Sequence, residues 1–82
     1  MNSLDKLKQA FITALALPSG AEAERAVYGE TAGWDSVAHM ALVAEIEAAF
    51  DVMLDTEEVI DMSSFSKAEE ILSRHGVAVR AA

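Results

Sequence analysis

The hydrophobic positions near the start of the chain follow the period of an α-helix. Four large apolar residues recur three or four positions apart, namely Leu4, Leu7, Phe11 and Leu15. This spacing puts them on one face and predicts a first helix from about Leu4 to Leu17, which Pro18-Ser19-Gly20 would end. Lys6 and Lys8 precede the apolar stretch as they do in a signal peptide, but the periodicity favours a retained first helix over a cleaved leader.

A long connection follows the first helix, from about Pro18 to Trp34. Three glycines punctuate it, and the segment from Glu22 to Val27 can form a helical turn. Loops of this length in small domains are usually functional or disordered. Because Val27, Tyr28 and Trp34 supply apolar anchors, we expect this loop to pack against the helices.

A second helix is predicted from Asp35 or Ser36, both good N-terminal residues, to Phe50. Its buried stripe consists of Leu42, Val43, Ile46 and Phe50. A second apolar strip lies beside the first and consists of Val37, Met40, Ala41 and Ala44. A small core does not need both strips, so the second strip is a candidate docking surface.

The last third of the chain predicts one short helix and one longer helix. Val52-Met53-Leu54 is a short extended piece, and an acidic short helix runs from about residue 55 to residue 60. The last helix starts near Ser64 or Ser66 and ends at Gly76. Its inward-facing residues are Ala68, Ile71 and Leu72.

These elements predict an all-α domain. We expect a small helical bundle of three main helices plus one short helix, with a long loop between helices one and two. The composition agrees, because alanine is common and β-branched residues are scarce. The 82 residues are long enough for one domain only, spanning 1–82, in which 77–82 would be a loose tail.

The charge distribution narrows the possible partners. A net charge of −8 argues against nucleic acid, because phosphate binding needs clustered lysine and arginine. Between Arg25 and Lys67 the chain has nine carboxylates and no lysine or arginine. This acidic segment would steer basic partner surfaces towards it, or it is a solvated surface that keeps the protein in solution. Repulsion among these carboxylates should raise their pKa values in the folded protein. We therefore expect mild acidification to stabilise the fold.

Ordinary catalytic and metal-binding patterns are missing from the sequence. The chain has no cysteine, which excludes disulfides, thiolate nucleophiles and zinc–thiolate sites and is consistent with a cytoplasmic location. Ser36 and His39 are three residues apart on one helix, but no G-x-S-x-G elbow or evident oxyanion hole accompanies them. We therefore expect a partly exposed surface role for His39, no metal site and no catalytic activity.

Ser36 lies in the most informative part of the chain. GWDSV places this serine at the mouth of a helix, where a phosphate ester would meet free backbone N–H groups, although an N-cap serine explains these five residues better. The longer stretch 33–50, GWDSVAHMALVAEIEAAF, resembles the acyl carrier protein signature, in which G-x-D-S-L begins the second helix. Phe50-Asp51-Val52, Met62-Ser63-Ser64-Phe65 and the loop aromatic Tyr28 resemble further parts of the same family.

The resemblance implies that Ser36 carries 4′-phosphopantetheine, added from coenzyme A by a separate phosphopantetheinyl transferase. The terminal thiol of this arm would hold acyl groups as thioesters for fatty acid, polyketide or related biosynthesis, which makes the chain a phosphoprotein. Acyl-activating or acyl-transferring enzymes would dock through basic surfaces, and we expect a monomer without nucleic-acid or membrane partners. The implied partner-binding residues are Asp35, Val37, Met40, Ala41 and Glu47.

The chain also departs from the family pattern. Val37 replaces the usual leucine, Ala38 replaces a frequent acidic residue, and Ala41 replaces a mid-helix glutamate. Trp34-Asp35-Ser36 with His39 is similar to stand-alone carriers of specialised lipid, glycan or secondary-metabolite pathways. An aminoacyl or D-alanyl carrier and an unmodified, carrier-like adaptor subunit are the alternatives.

Overall fold

Five α-helices form the fold of residues 2–80, which are the residues that the computed structural model describes. In chain order the helices are α1 (Ser3–Leu15), α2 (Gly20–Glu24), α3 (Ser36–Phe50), α4 (Thr56–Asp61) and α5 (Phe65–Arg74). The predicted all-α class is confirmed. The turn expected at Glu22–Val27 starts earlier and is a second short helix, α2. None of the described helices is both long and apolar enough to cross a membrane.

Each of these helices begins at a side-chain cap. One side-chain oxygen accepts the backbone N–H three residues further on, and the capping residues are Asn2, Ser19, Asp35, Asp55 and Ser64. The cap of α5 is therefore Ser64 and not Ser66. The first helix ends at Leu15, two residues before the predicted end. The reason is that Ala16 enters the left-handed region with φ of 53° and donates its N–H to the Ile12 carbonyl.

The core lies between α1, α3 and α5 and has an aromatic centre. The Phe11 ring centroid is 5.0 Å from that of Phe65 and 5.5 Å from that of Trp34. Trp34 is only 3% exposed, and it anchors the long loop against the helices as expected. Val27 is half-buried, whereas Tyr28 stays 41% exposed at the surface. The other large, fully buried side chains are Leu7, Leu42, Ile46, Met62, Ile71 and Leu72.

The two apolar strips of α3 have different surroundings. The first strip contributes Leu42, Val43 and Ile46 to the core, with Phe50 half-buried at its end. The second strip stays in contact with solvent: Val37 is 81% exposed, Met40 is 57% exposed, and Ala41 and Ala44 are exposed. The outer face of α3 is thus apolar and open, as a docking surface requires.

The end of the described chain is packed down, so the loose tail predicted for 77–82 is wrong up to Arg80. Val79 is buried, and the Arg80 guanidinium donates to Glu69 at 3.0 and 3.1 Å and to Glu24. These carboxylates raise the pKa of Arg80. In turn, Arg80 and a lysine on α1 lower the pKa of Glu24. No local pattern points to this contact, because Glu24 is 56 residues away from Arg80. The two final alanines lie outside the described residues.

Several carboxylates of the acidic segment are used inside the fold. Glu47 accepts the Leu54 N–H at 2.9 Å. Glu58 closes a capping box with Asp55, and its two oxygens lie 2.9 and 3.0 Å from Nε2 of His75. The hydrogen bond from His75, followed by the backbone N–H of Asp55, lowers the pKa of Glu58 from its usual value of 4.5. This direction is opposite to the rise expected from mutual repulsion, so that expectation is wrong at Glu58.

The Glu58–His75 pair makes the stability of the fold depend on pH. Glu58→Gln keeps the capping box, since glutamine also fits its third position, but removes the charge opposite His75. A carboxyl whose folded pKa is lowered stabilises the fold above its unfolded pKa, and this contribution is lost as the pH falls through the folded pKa. We expect Glu58→Gln to be less stable than the native chain in urea at pH 7, and the difference to shrink as the pH falls from about 6 to about 3.

Glu57→Gln is the matched control for this experiment. Glu57 is exposed in the same helical turn, and its substitution removes the same formal charge. It should change stability less than Glu58→Gln at pH 7. A stability gap for Glu58→Gln that is equal at both ends of the pH range would contradict the role of the ionised pair.

Candidate functional site

Ser36 is exposed and is the first residue of α3, where the sequence places it. Gly33 precedes it with φ of +85°, a backbone conformation that favours glycine. After this turn, Trp34 is buried in the core and Asp35 accepts the Ala38 N–H at 2.9 Å, which starts the helix. The Ser36 hydroxyl is therefore held at the surface by a tight turn and a helix cap.

His39 lies one helical turn beyond Ser36 and is hydrogen-bonded through both ring nitrogens. Trp34 donates its Nε1–H to Nδ1 of His39 at 2.9 Å, so Nδ1 carries no proton. The neutral ring then carries its proton on Nε2, which donates to the Val59 carbonyl of α4 at 2.7 Å. His39 thus connects the long loop, α3 and α4.

The sequence correctly predicted that His39 is partly exposed but missed what it does. It is half-buried, and neither ring nitrogen is directed at the Ser36 hydroxyl, because Trp34 and Val59 occupy them. The spacing of Ser36 and His39 on one helix is thus not accompanied by a serine–histidine contact. No local signal pointed to Val59, which is 20 residues further along the chain.

Aromatic rings surround His39 on two sides. The plane of the imidazole lies at 23° to the indole plane of Trp34, with the two ring centroids 5.8 Å apart. Tyr28 meets His39 edge-on at 5.4 Å and Trp34 edge-on at 5.8 Å. The Tyr28 hydroxyl in turn lies 3.4 Å from Oγ of Ser36. One aromatic cluster therefore extends from the core to the exposed serine.

A pocket of about 260 Å³ opens beside this cluster. It lies between the long loop, α3, α4 and the residues after α4, and its lining consists of Tyr28, His39, Val59, Ile60, Met62 and Ser63. Tyr28 connects the pocket to Ser36, because its ring lines the pocket and its hydroxyl contacts the serine. Sequence patterns could not indicate this pocket, since its walls come from three separate parts of the chain.

Four of the five residues expected to bind partners surround the start of α3. Asp35, Val37, Met40 and Ala41 are exposed in the N-terminal half of the helix that begins with Ser36. Ile60 of α4 is 72% exposed and adds a further apolar side chain to the exposed surface.

Glu47, the fifth expected residue, lies apart from the other four. It is eleven residues beyond Ser36 on α3, which corresponds to about 16 Å along the helix axis. Its carboxylate is half-buried and accepts the Leu54 N–H, so it holds the segment between α3 and α4. The contact of Glu47 with Leu54 is therefore a local structural one, near the end of α3 that lies opposite to Ser36.

Comparisons of the chain with protein-family models, curated proteins and solved structures found no match.

The chemistry open to this site follows from its own residues. An exposed hydroxyl at a helix start can carry a phosphate-linked group close to free backbone N–H groups. The adjoining pocket is lined mostly by apolar and aromatic side chains, with Ser63 as its hydroxyl-bearing member, and such a lining suits an apolar group.

The bridge made by His39 should contribute measurably to stability. In His39→Ala the buried Trp34 N–H loses its acceptor and the Val59 carbonyl loses its donor, at a cost of roughly 1–3 kcal/mol. Val37→Ala, on the same helix, is the control, and exposed substitutions of this kind usually stay within about 0.5 kcal/mol. Urea unfolding followed by the fluorescence of Trp34, the only tryptophan, measures both variants. Equal stability of the two variants would contradict the bridge.

Proposed function

We propose that the protein is an acyl carrier that holds acyl intermediates as thioesters on a 4′-phosphopantetheine arm at Ser36. The observation that carries this proposal is the exposed Ser36 hydroxyl at the start of α3, inside the GWDSV sequence and connected through Tyr28 to an apolar pocket. The departures at Val37, Ala38 and Ala41 favour a specialised lipid, glycan or secondary-metabolite pathway over standard fatty acid synthesis.

Attachment of the arm requires a reachable nucleophile and an outside enzyme. The Oγ of Ser36 forms a bond to the phosphorus of the pantetheine phosphate. The bond from this phosphorus to the adenosine bisphosphate of coenzyme A breaks, and the bisphosphate leaves. A base of the transferase takes the serine proton. Ser36 is exposed and meets the first requirement. Both nitrogens of His39, its helical neighbour, are engaged elsewhere, which favours a carrier that relies on partner enzymes over a serine hydrolase.

The surface around Ser36 is suited to partner enzymes. Val37, Met40 and Ala41 present an exposed apolar face, and Asp35 adds a negative charge beside the modified serine. An apolar face with acidic residues near it complements a partner whose docking surface combines apolar contacts with lysine and arginine. The phosphopantetheinyl transferase and the acyl-transferring or acyl-activating enzymes are the proposed partners.

Two alternatives would use the same fold. An aminoacyl or D-alanyl carrier would have the same attachment at Ser36, but the apolar lining of the pocket favours an acyl group over a charged amine. An adaptor subunit would use the exposed face of α3 and leave Ser36 unmodified. The mass of the protein after incubation with a transferase separates this adaptor from both carriers.

Modification at Ser36 is the direct test of the proposal. Incubation of the native chain with coenzyme A and a broad-specificity phosphopantetheinyl transferase should add the mass of one phosphopantetheine. Ser36→Ala should remain unmodified with an unchanged circular dichroism spectrum, because the cap of α3 is Asp35. Ser66→Ala, which alters an exposed serine of α5, should be modified like the native chain. Two unrelated transferases that leave the native mass unchanged would refute the carrier proposal.

The salt dependence of this modification tests the docking charge. Asp35→Asn keeps the helix cap, since asparagine caps as well as aspartate, and removes the charge beside Ser36. We expect it to slow the association step at low salt and to weaken the effect of added salt. At 0.1 M salt Glu47→Gln should have the smaller effect, because its distance of about 16 Å from Ser36 along the helix exceeds the screening length of about 10 Å. Rates that do not depend on salt in the native chain would exclude electrostatic steering.

A further inference from the structure

The hydroxyl of Tyr28 meets the side chain of Ser36 at the protein surface. Its oxygen lies 3.4 Å from Oγ of Ser36, and either atom can donate the proton. The Tyr28 ring itself contacts Trp34 and His39 edge-on, with centroid distances of 5.8 and 5.4 Å. A phenylalanine at this position would keep both ring contacts but would offer no polar group to Ser36. Ring packing therefore does not account for the hydroxyl.

The position of Tyr28 is fixed before any group is attached to Ser36. Its backbone N–H donates to the Ser63 carbonyl at 2.8 Å. Val27 and Ser64, the neighbours of these two residues, form an isolated antiparallel bridge beside this bond. Together with the ring contacts, these bonds hold the hydroxyl next to Ser36. A group that is already held in place loses little conformational freedom when it binds a ligand.

A phosphate ester on Ser36 would change which partner of this contact donates. The ester oxygen carries no proton, so Ser36 could no longer donate to Tyr28, and the phenol would be the donor that remains. The free oxygens of the phosphate carry its negative charge. Because hydrogen bonds to ionised acceptors are shorter and stronger than those to neutral ones, these free oxygens would be better acceptors for the Tyr28 hydroxyl than the ester oxygen.

The charges near Ser36 make such a neutral donor important. Asp35 precedes Ser36 and would bring a like charge close to the phosphate, while the stretch between Arg25 and Lys67 has no lysine or arginine to offset it. The carboxylate of Asp35 also accepts the Ala38 N–H, so this donor at the start of α3 is already used. The donors that this stretch offers are therefore uncharged: the remaining N–H groups at the start of α3 and the phenol on the long loop.

Given the acyl carrier function proposed above, on which this step rests, we propose that Tyr28 is a binding residue for the phosphate of the 4′-phosphopantetheine arm. Its hydroxyl donates to a free oxygen of the phosphate, which attaches the root of the arm to the long loop as well as to α3. The contact involves the phosphate alone and leaves the thiol end of the arm free.

The experiment follows the single phosphorus signal of the phosphopantetheine form. The native chain and Tyr28→Phe are loaded from coenzyme A by the transferase, and intact mass confirms each load before phosphorus NMR spectra are recorded. A native chain that cannot be loaded would refute the carrier function, and this proposal with it. A failure of this proposal alone is distinguishable, because it is observed in protein whose mass shows that the arm is present.

We expect the phosphorus signal of Tyr28→Phe to be shifted from the native position and to be narrower, because the phosphate loses a hydrogen bond and becomes more mobile. Ser63→Ala is the matched control, since it removes an exposed hydroxyl nearby but keeps the backbone carbonyl that binds Tyr28, and it should give the native signal. Circular dichroism checks that both variants are folded. Equal phosphorus signals in the native chain and in folded Tyr28→Phe would overturn the proposal, as would an equally large shift in Ser63→Ala.

A second measurement needs no variant at position 28. The chain has one tyrosine, so tyrosine labelled at the ring carbon that bears the hydroxyl gives a single signal in carbon NMR. Donation of the phenolic proton to an anion moves this signal towards the position of tyrosinate. We expect this movement when the native chain is loaded, and no movement when Ser36→Ala is treated in the same way. A tyrosine signal that stays in place in the loaded native chain would also overturn the proposal.

Discussion

Burial of the Trp34 side chain imposes a constraint on which much of the structure depends. The indole adds a large apolar surface to the core beside Phe11, but its N–H needs an acceptor once water is excluded. Nδ1 of His39 is this acceptor, and the neutral imidazole must then donate from Nε2, which it does to the carbonyl of Val59. One buried N–H thereby fixes the ring of His39, the loop that precedes α3 and the position of α4.

This constraint separates the two faces of α3. Because His39 is turned towards Trp34 and α4, the residues around it on the other face are left exposed to solvent. Ser36, Val37 and Met40 occupy that open face, while Leu42 and Ile46 continue into the core. The proposed carrier function would place attachment and docking on neighbouring surfaces of this one helix.

The acidic residues contribute to the fold as well as to the surface charge. Asp35 and Asp55 cap helices, Glu47 accepts the Leu54 N–H, and Glu58 pairs with His75. Each of these carboxylates is stabilised locally by donors, so a strongly negative chain of this size can still form a compact core. A count of charges along the sequence treats all carboxylates alike, which is why it predicts repulsion at Glu58 where the structure has an attraction.

The sequence by itself determined the features that depend on neighbouring residues: the period of α1, the cap and start of α3, the exposed position of Ser36 and the all-α class. Helix periodicity and capping act over three or four residues, so they can be read directly from the order of amino acids. Only the tertiary structure decided the partners of His39, the pocket beside Tyr28 and the attachment of Arg80 to Glu24. The bond from His39 to Val59 and the attachment of Arg80 to Glu24 join residues 20 and 56 positions apart, and their geometry exists only after the helices have packed.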